Sequence, residues 1–234
     1  MRRFHQFVTL ALVWACLLLP AALAAQTATV SAELAFRSKY FFAGIPFAAE
    51  QVQQAKVTVA AGSFTINGFS VYDVDVSDVT EADIYGDYYF QAAPTVGIFV
   101  GGALYSFKFP VVGWESTPEL YGGVVFSAPL SPTLYVAHDF DLGGGTHAML
   151  MLSHSVPLGE SGATLGLAGN VDYNAEYYTT ESGFSFADVS AAIGIPIGPL
   201  TVSPMILIQR RLDDAFVGFV PDDELFGVTA SITF

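Results

Sequence analysis

Four histidines, one cysteine and 22 acidic side chains are the reactive material of this 234-residue chain. A hydrolase built on one extended strand needs His and Ser two residues apart, because only alternate side chains share a face and let the ring take the hydroxyl proton. His154 is followed directly by Ser155, which points the other way. Two residues after His138 stands Phe140, and two after His147 stands Met149. With no nucleophile and base assembled locally, no catalytic residue is assigned and no enzymatic activity is expected. His154 reads as an interfacial residue near a turn. Asp139 and His147 lie on opposite limbs of a tight hairpin, where an ion pair is expected rather than an acid–base couple. Asp73, Asp75, Ser77, Asp78, Glu81 and Asp83 approach the spacing of a calcium loop, but the loop glycine is missing and Ile84 stands where the closing bidentate glutamate belongs. That string, like Asp222, Asp223 and Glu224, reads as a solvated acidic loop whose other use is bridging lipid phosphates through divalent cations. Neither a metal centre nor a cofactor is assigned.

The other charges gain meaning from the strands that carry them. Alternating short segments give twelve candidate strands, at 28–40, 51–61, 64–74, 81–90, 95–105, 119–127, 133–141, 146–156, 163–173, 184–195, 200–211 and 225–234. Splitting each by parity puts Val30, Leu34 and Phe36, Val96, Ile98, Val100 and Leu104, Leu165 and Leu167, and Val202, Ile206 and Ile208 on one face. The opposite face collects an acidic set, Asp83, Asp87, Glu119, Asp139, Asp141 and Asp172, and a basic set, Arg37, Lys39, Lys56 and Arg211. A charge facing lipid near the midplane of a membrane barrel costs about 2–4 kcal/mol, so this parity assigns both sets to the lumen. Phe64 and Ile66 fall out of phase with Phe69 and Val71, which reads as a bulge at Asn67–Gly68. The tenth strand has a similar break between Phe184 and Phe186 on one side and Val189 and Ile193 on the other. Tyr40, Phe41, Phe42, Tyr72, Tyr105, Phe107, Tyr173, Tyr177 and Tyr178 gather at strand ends and read as an aromatic belt at headgroup depth.

Connections alternate between tight turns, at 62–63, 92–94, 128–132, 157–162 and 196–199, and mostly longer loops, at 41–50, 75–80, 106–118, 174–183 and 212–224, with a tight Leu142, Gly143, Gly144 connection as the exception. Short turns on one side, longer loops on the other and an even strand count describe an all-β, single antiparallel transmembrane barrel with both termini on the short-turn side. Mean hydropathy is +0.50, yet no uninterrupted apolar segment after the leader reaches helical membrane length. The leader, 1–24, has Arg2 and Arg3, an apolar run from Phe7 to Leu19 ended by Pro20, and a small-x-small site at Ala22 to Ala24. Cleavage there leaves 25–234 as one barrel domain without Cys16, the only thiol. The formal charge, −14 from 22 acidic and 8 basic residues, becomes −16 once Arg2 and Arg3 are gone. So acidic a chain excludes nucleic acid as a partner.

The last strand places Phe226, Val228, Ala230, Ile232 and Phe234 on one face. It resembles the closing strand of bacterial outer-membrane barrels, which implies that Phe234 belongs to the signal read by the barrel-insertion machinery. Residues 34–45, 81–88 and 101–106 resemble the TorF-type family of small outer-membrane porins, with Ala43 where a basic residue is expected. The resemblance spans nearly the whole mature chain and implies a porin, with no catalytic residues to carry over. The expectation is a porin-like, cation-preferring channel for passive diffusion of small polar solutes or ions in the Gram-negative outer membrane, in contact with its lipid and lipopolysaccharide. The alternative is a closed, non-conducting barrel with a structural or surface-binding role.

Overall fold

The computed structural model describes residues 28–234, and the leader expected at 1–24 lies outside the described residues. In chain order the strands are β1 (Ala28–Arg37), β2 (Tyr40–Phe42), β3 (Ile45–Ala48), β4 (Val52–Ala61), β5 (Phe64–Asp73), β6 (Asp78–Ala93), β7 (Val96–Phe109), β8 (Gly113–Phe126), β9 (Thr133–Asp139), β10 (Thr146–Pro157), β11 (Thr164–Ala175), β12 (Ser182–Ile197), β13 (Leu200–Arg211) and β14 (Asp223–Thr233). Twelve of them close an antiparallel barrel, and β2 and β3 form a separate hairpin inside the connection from β1 to β4. Closure runs from Ser31↔Thr233 to Arg37↔Gly227, so the first and last barrel strands leave no open edge.

A two-residue side-chain period produces the two surfaces. Leu34, Phe36, Ile84, Val100, Leu104, Leu120, Leu134, Val136, Leu167, Val189 and Phe226 are exposed on the outside. An apolar belt around a whole circumference far exceeds the few hundred Å² that water tolerates in one patch, so the barrel spans a membrane. Inside lie Asn67, Glu81, Asp83, Thr117, Glu119, Asp139, His147, Asp172, Asn174, Asp188 and Gln209, all buried.

Both phase breaks have physical explanations, one of them a correction. No bulge interrupts β5 at Asn67–Gly68, because the register with β4 runs unbroken from Val52↔Asp73 to Ala61↔Phe64. Phe64 and Ile66 face out, whereas Phe69 and Val71 face in and, with Val52, form an apolar seat on which Tyr40 and Ala48 of the β2–β3 hairpin pack. In β12 the break is a real bulge: the register with β11 passes from Val171↔Ala187 to Tyr173↔Phe184, one residue longer on β12. Ser185 and Phe186 are therefore both buried, while Phe184 and Val189 are both exposed.

The loop expected at 106–118 is mostly strand. β7 and β8 stay paired to Phe109↔Gly113 and turn through 110–112, helped by a φ of 85° at Gly113. The longest outer connections are 38–51, which contains the hairpin, and 212–222, followed by 140–145 and 176–181.

Candidate functional site

The site is the lumen at the long-loop end, and the β2–β3 hairpin decides its shape. Ala43 and Gly44 take positive φ, 47° and 78°, and turn the chain between Phe42 and Ile45. Position 43, where a basic residue was expected, is thus the turn itself. The hairpin folds across the barrel. At its base the Tyr40 hydroxyl donates to Glu81 Oε1 at 2.9 Å on β6. At its tip Gly44 lies against the Phe186 ring, its carbonyl accepts from Gln209 Nε2 at 2.9 Å, and Ile45 packs on the cluster of Phe186, Phe216 and Val220.

Between base and tip the hairpin presents rings. Phe42 meets Tyr105 at 5.1 Å and Phe107 at 5.5 Å, both on β7, and Tyr178 at 5.5 Å. Phe47 meets Phe107 at 4.9 Å, and Tyr177 stacks on His147 at 4.3 Å. Edge-to-face and offset pairs at such distances contribute about 0.5–1.5 kcal/mol each beyond burial. Tyr40, Phe42, Tyr105, Phe107, Tyr177 and Tyr178 therefore form a constriction inside the barrel, not the headgroup belt expected of them. The exterior aromatics include Tyr173 with Phe184 at 5.4 Å, and Phe64, Tyr88 and Phe90 beside the 62–63 turn.

The acidic set divides by role. Glu119 is buried and accepts from Tyr177 at 2.6 Å and Tyr105 at 3.0 Å. Asp139 accepts from Thr117 Oγ1 at 2.7 Å, from the backbone N–H groups of Asp141, Gly143 and Gly144, and from Tyr178 at 3.0 Å, which ties the 140–145 loop to the 176–181 loop. Burial, then the charge of Glu119 for Tyr177 and of Asp139 for Tyr178, holds both phenols far above their usual range, so they remain donors. Asp83 accepts from Ser106 N–H at 3.2 Å, and Asp87 stays half-buried deeper in the lumen. Asp172 pairs with His147 Nδ1 at 3.0 Å and accepts the Ser185 hydroxyl. The expected Asp139–His147 pair does not form. His147 stands opposite Ala137 on β9 and Asn174 on β11, which leaves Asp172 as its diagonal neighbour. Asp141 does not join the wall: it lies past the end of β9, exposed in the loop.

The basic set occupies the opposite side and is largely engaged. Arg37 donates to Thr229 Oγ1 at 2.8 Å, Lys39 lies past the end of β1 and pairs with Asp223 at 2.7 Å, and Arg211, at the rim, approaches Asp214 at 3.9 Å and donates to Val220 O at 3.3 Å. Lys56, in register with Glu33, is the basic residue deepest in the barrel wall. The calcium-like string is dispersed: Asp73 accepts from the N–H groups of Asp75 and Val76, Asp78 pairs with Lys108, and Glu81 and Asp83 turn inward. Among the described residues no group of three or more His, Cys, Asp or Glu could hold a metal ion.

Sequence reasoning missed Glu81 and Asp188 as luminal acids and the phenols as their partners. Tyr105, Tyr121 and Tyr135 sit on the inward parity of their strands, a signal available in the sequence. Asp188 follows the β12 bulge, where parity alone misleads.

Two cavities lie along the lumen, one of them toward the short-turn end. A cavity of about 420 Å³ there is lined by small side chains, among them Ser153, Ser155, Ala168, Ser190 and Ala192. A second, of about 290 Å³, lies within the constriction beneath Phe41 and Phe42.

No family model matches the chain, and no curated protein matches it in sequence. Solved structures similar to it include an outer-membrane channel from Pseudomonas putida F1, at 10% identity and a TM-score of 0.44, covering 88% of this chain and 95% of that one. Another is the outer membrane protein opdK of Pseudomonas aeruginosa, at 12% identity and a TM-score of 0.38, covering 86% of this chain and 61% of that one. At these values the likeness carries no inference about what this chain transports or binds.

Proposed function

We propose that the chain is a porin-like channel of the Gram-negative outer membrane, which small polar solutes or ions cross by passive diffusion and in which cations are preferred. The observation that carries this reading is the lumen. Carboxylates and phenols line its narrow section, mostly small Ser and Ala side chains line a cavity toward the short turns, and both lie inside a barrel with an apolar exterior. Asp83, Asp87, Glu119, Asp139 and Asp172 stand on one wall and Arg37 and Lys56 on the other, a transverse field of the kind that orients polar solutes. Since Arg37 is bonded within its wall and Lys39 and Arg211 sit at the rim, the charge met in the narrow section is mainly acidic. The resemblance of residues 34–45, 81–88 and 101–106 to TorF-type porins supports the same reading. So do the porin-like division of turn lengths and a closing strand ending on Phe234, which the barrel-insertion machinery would read.

One observation favours the closed-barrel alternative: Tyr177 is 1% exposed and Phe107 2% exposed, so the narrow section is filled by rings. Liposome swelling separates the two. Vesicles carrying the purified barrel should swell in iso-osmotic small amino acids or sugars and not in large oligosaccharides. Swelling no faster than that of empty vesicles in any solute would leave the structural role standing in place of the channel.

A further inference from the structure

The cavity of about 290 Å³ beneath the hairpin has a composition that selects a ligand class. Its lining is rich in rings, among them Phe42, Tyr105, Tyr135, Tyr177 and Phe186. Asp188 enters from β12. It is 8% exposed, its Oδ1 accepts from Asn170 Nδ2 at 2.9 Å, and the residue lines the cavity. A carboxylate this far from bulk water is costly without a compensating charge or further donors. None comes from the neighbouring polar groups. Gln209 spends its amide N–H groups on Gly44 O and Pro221 O, His147 is paired with Asp172, and no lysine or arginine lines the cavity.

We infer that this cavity is a binding site for a small organic ammonium ion, with Phe42 and Tyr105 as its aromatic cage and Asp188 as its counter-ion. Ring faces attract a cation through their quadrupole, most strongly when it is desolvated, and alkylated ammonium groups suit them because they surrender little hydration. The volume equals that of about ten waters, enough for an ion of choline size and too small for a peptide. Glu119 faces the cavity through the hydroxyls of Tyr105 and Tyr177, and Asp172 lies behind His147, so the acidic groups around the site outnumber its one ionisable base. A neutral sugar fits less well, since it would leave most of its hydroxyls facing rings. The inference deepens the channel reading by naming a solute class, and rests on that reading only in placing the site within a transport lumen.

Titration calorimetry on the detergent-solubilised, heat-modifiable barrel tests it, with choline, tetramethylammonium, glucose and neohexanol, the uncharged isostere of choline, as probes. Choline and tetramethylammonium should bind saturably, and neohexanol about tenfold more weakly or worse. Asp188→Asn should weaken choline binding by a similar factor, and the rim variant Asp222→Asn should not. Equal binding of neohexanol, binding of glucose alone, an unchanged Asp188→Asn, or no saturable heat from either cation would each overturn the assignment. The wild-type contrast between choline and neohexanol needs no variant to fold. Binding without solute flux in vesicles would uphold the site and remove the channel, whereas flux without binding would do the reverse.

Discussion

Tyr177 illustrates how single residues set the narrow section. Its ring stacks on His147 and its hydroxyl donates to Glu119, so one side chain links loop 176–181 to β8 and β10. Tyr177→Phe keeps the ring and removes the donor, leaving Glu119 with fewer partners in a buried place. The expected loss is about 1–3 kcal/mol, read as a lower urea midpoint for unfolding from lipid vesicles. An unchanged midpoint would mean that water already satisfies Glu119. At this scale the sequence was half legible. Parity placed Asp83, Glu119, Asp139 and Asp172 inward, since a two-residue period leaves a strand's charge only one affordable side. It could not show that these carboxylates would be held by phenols or exchange partners, as His147 does in choosing Asp172 over Asp139. Those contacts depend on strand stagger, which no single strand records.

Among the elements, the β2–β3 hairpin carries the most consequence and was the least visible. Its aromatics look like membrane anchors in sequence, because girdle and plug draw on the same residue types. The distinguishing sign lay in β5, where Phe69 and Val71 break the polar parity of the lumen to seat the hairpin. The twelve barrel strands were legible because alternation and turn residues recur in each. The β12 bulge appeared as a phase break, but its outcome, two consecutive inward residues at Ser185 and Phe186, needed the register with β11. Replacing 41–47 by a short Gly-Ser turn should leave the barrel intact, since β1 and β4 pair from Ala28↔Ala61 to Arg37↔Val52 without it. Swelling rates should rise several-fold and admit larger solutes. Unaltered rates would place the limiting section elsewhere.

At the scale of the whole barrel, strand order fixes the sidedness. With Ala28 and Thr233 at the same end as turns 62–63 and 198–199, Asp78 at the start of β6 and the loop holding Asp222 lie on the opposite side. Cysteines placed at those two positions should react with an impermeant maleimide on intact cells and one at Ser161 should not; the reverse pattern would invert the barrel. Phe234 caps the seam through its N–H to Val30 O at 2.8 Å and is otherwise 75% exposed. Deleting it should therefore disturb few contacts while lowering the yield of heat-modifiable protein in outer membranes, and an undiminished yield would remove its role as an assembly signal. The channel itself is tested most directly by planar-bilayer recording under a KCl gradient. Stepwise currents should reverse on the cation-selective side, and neutralising Asp83 and Asp87 together should move that potential toward zero, further than neutralising Asp222 and Asp223, which solvent and salt screen. A bilayer silent at every voltage, or one that reverses on the anion side, would contradict the account.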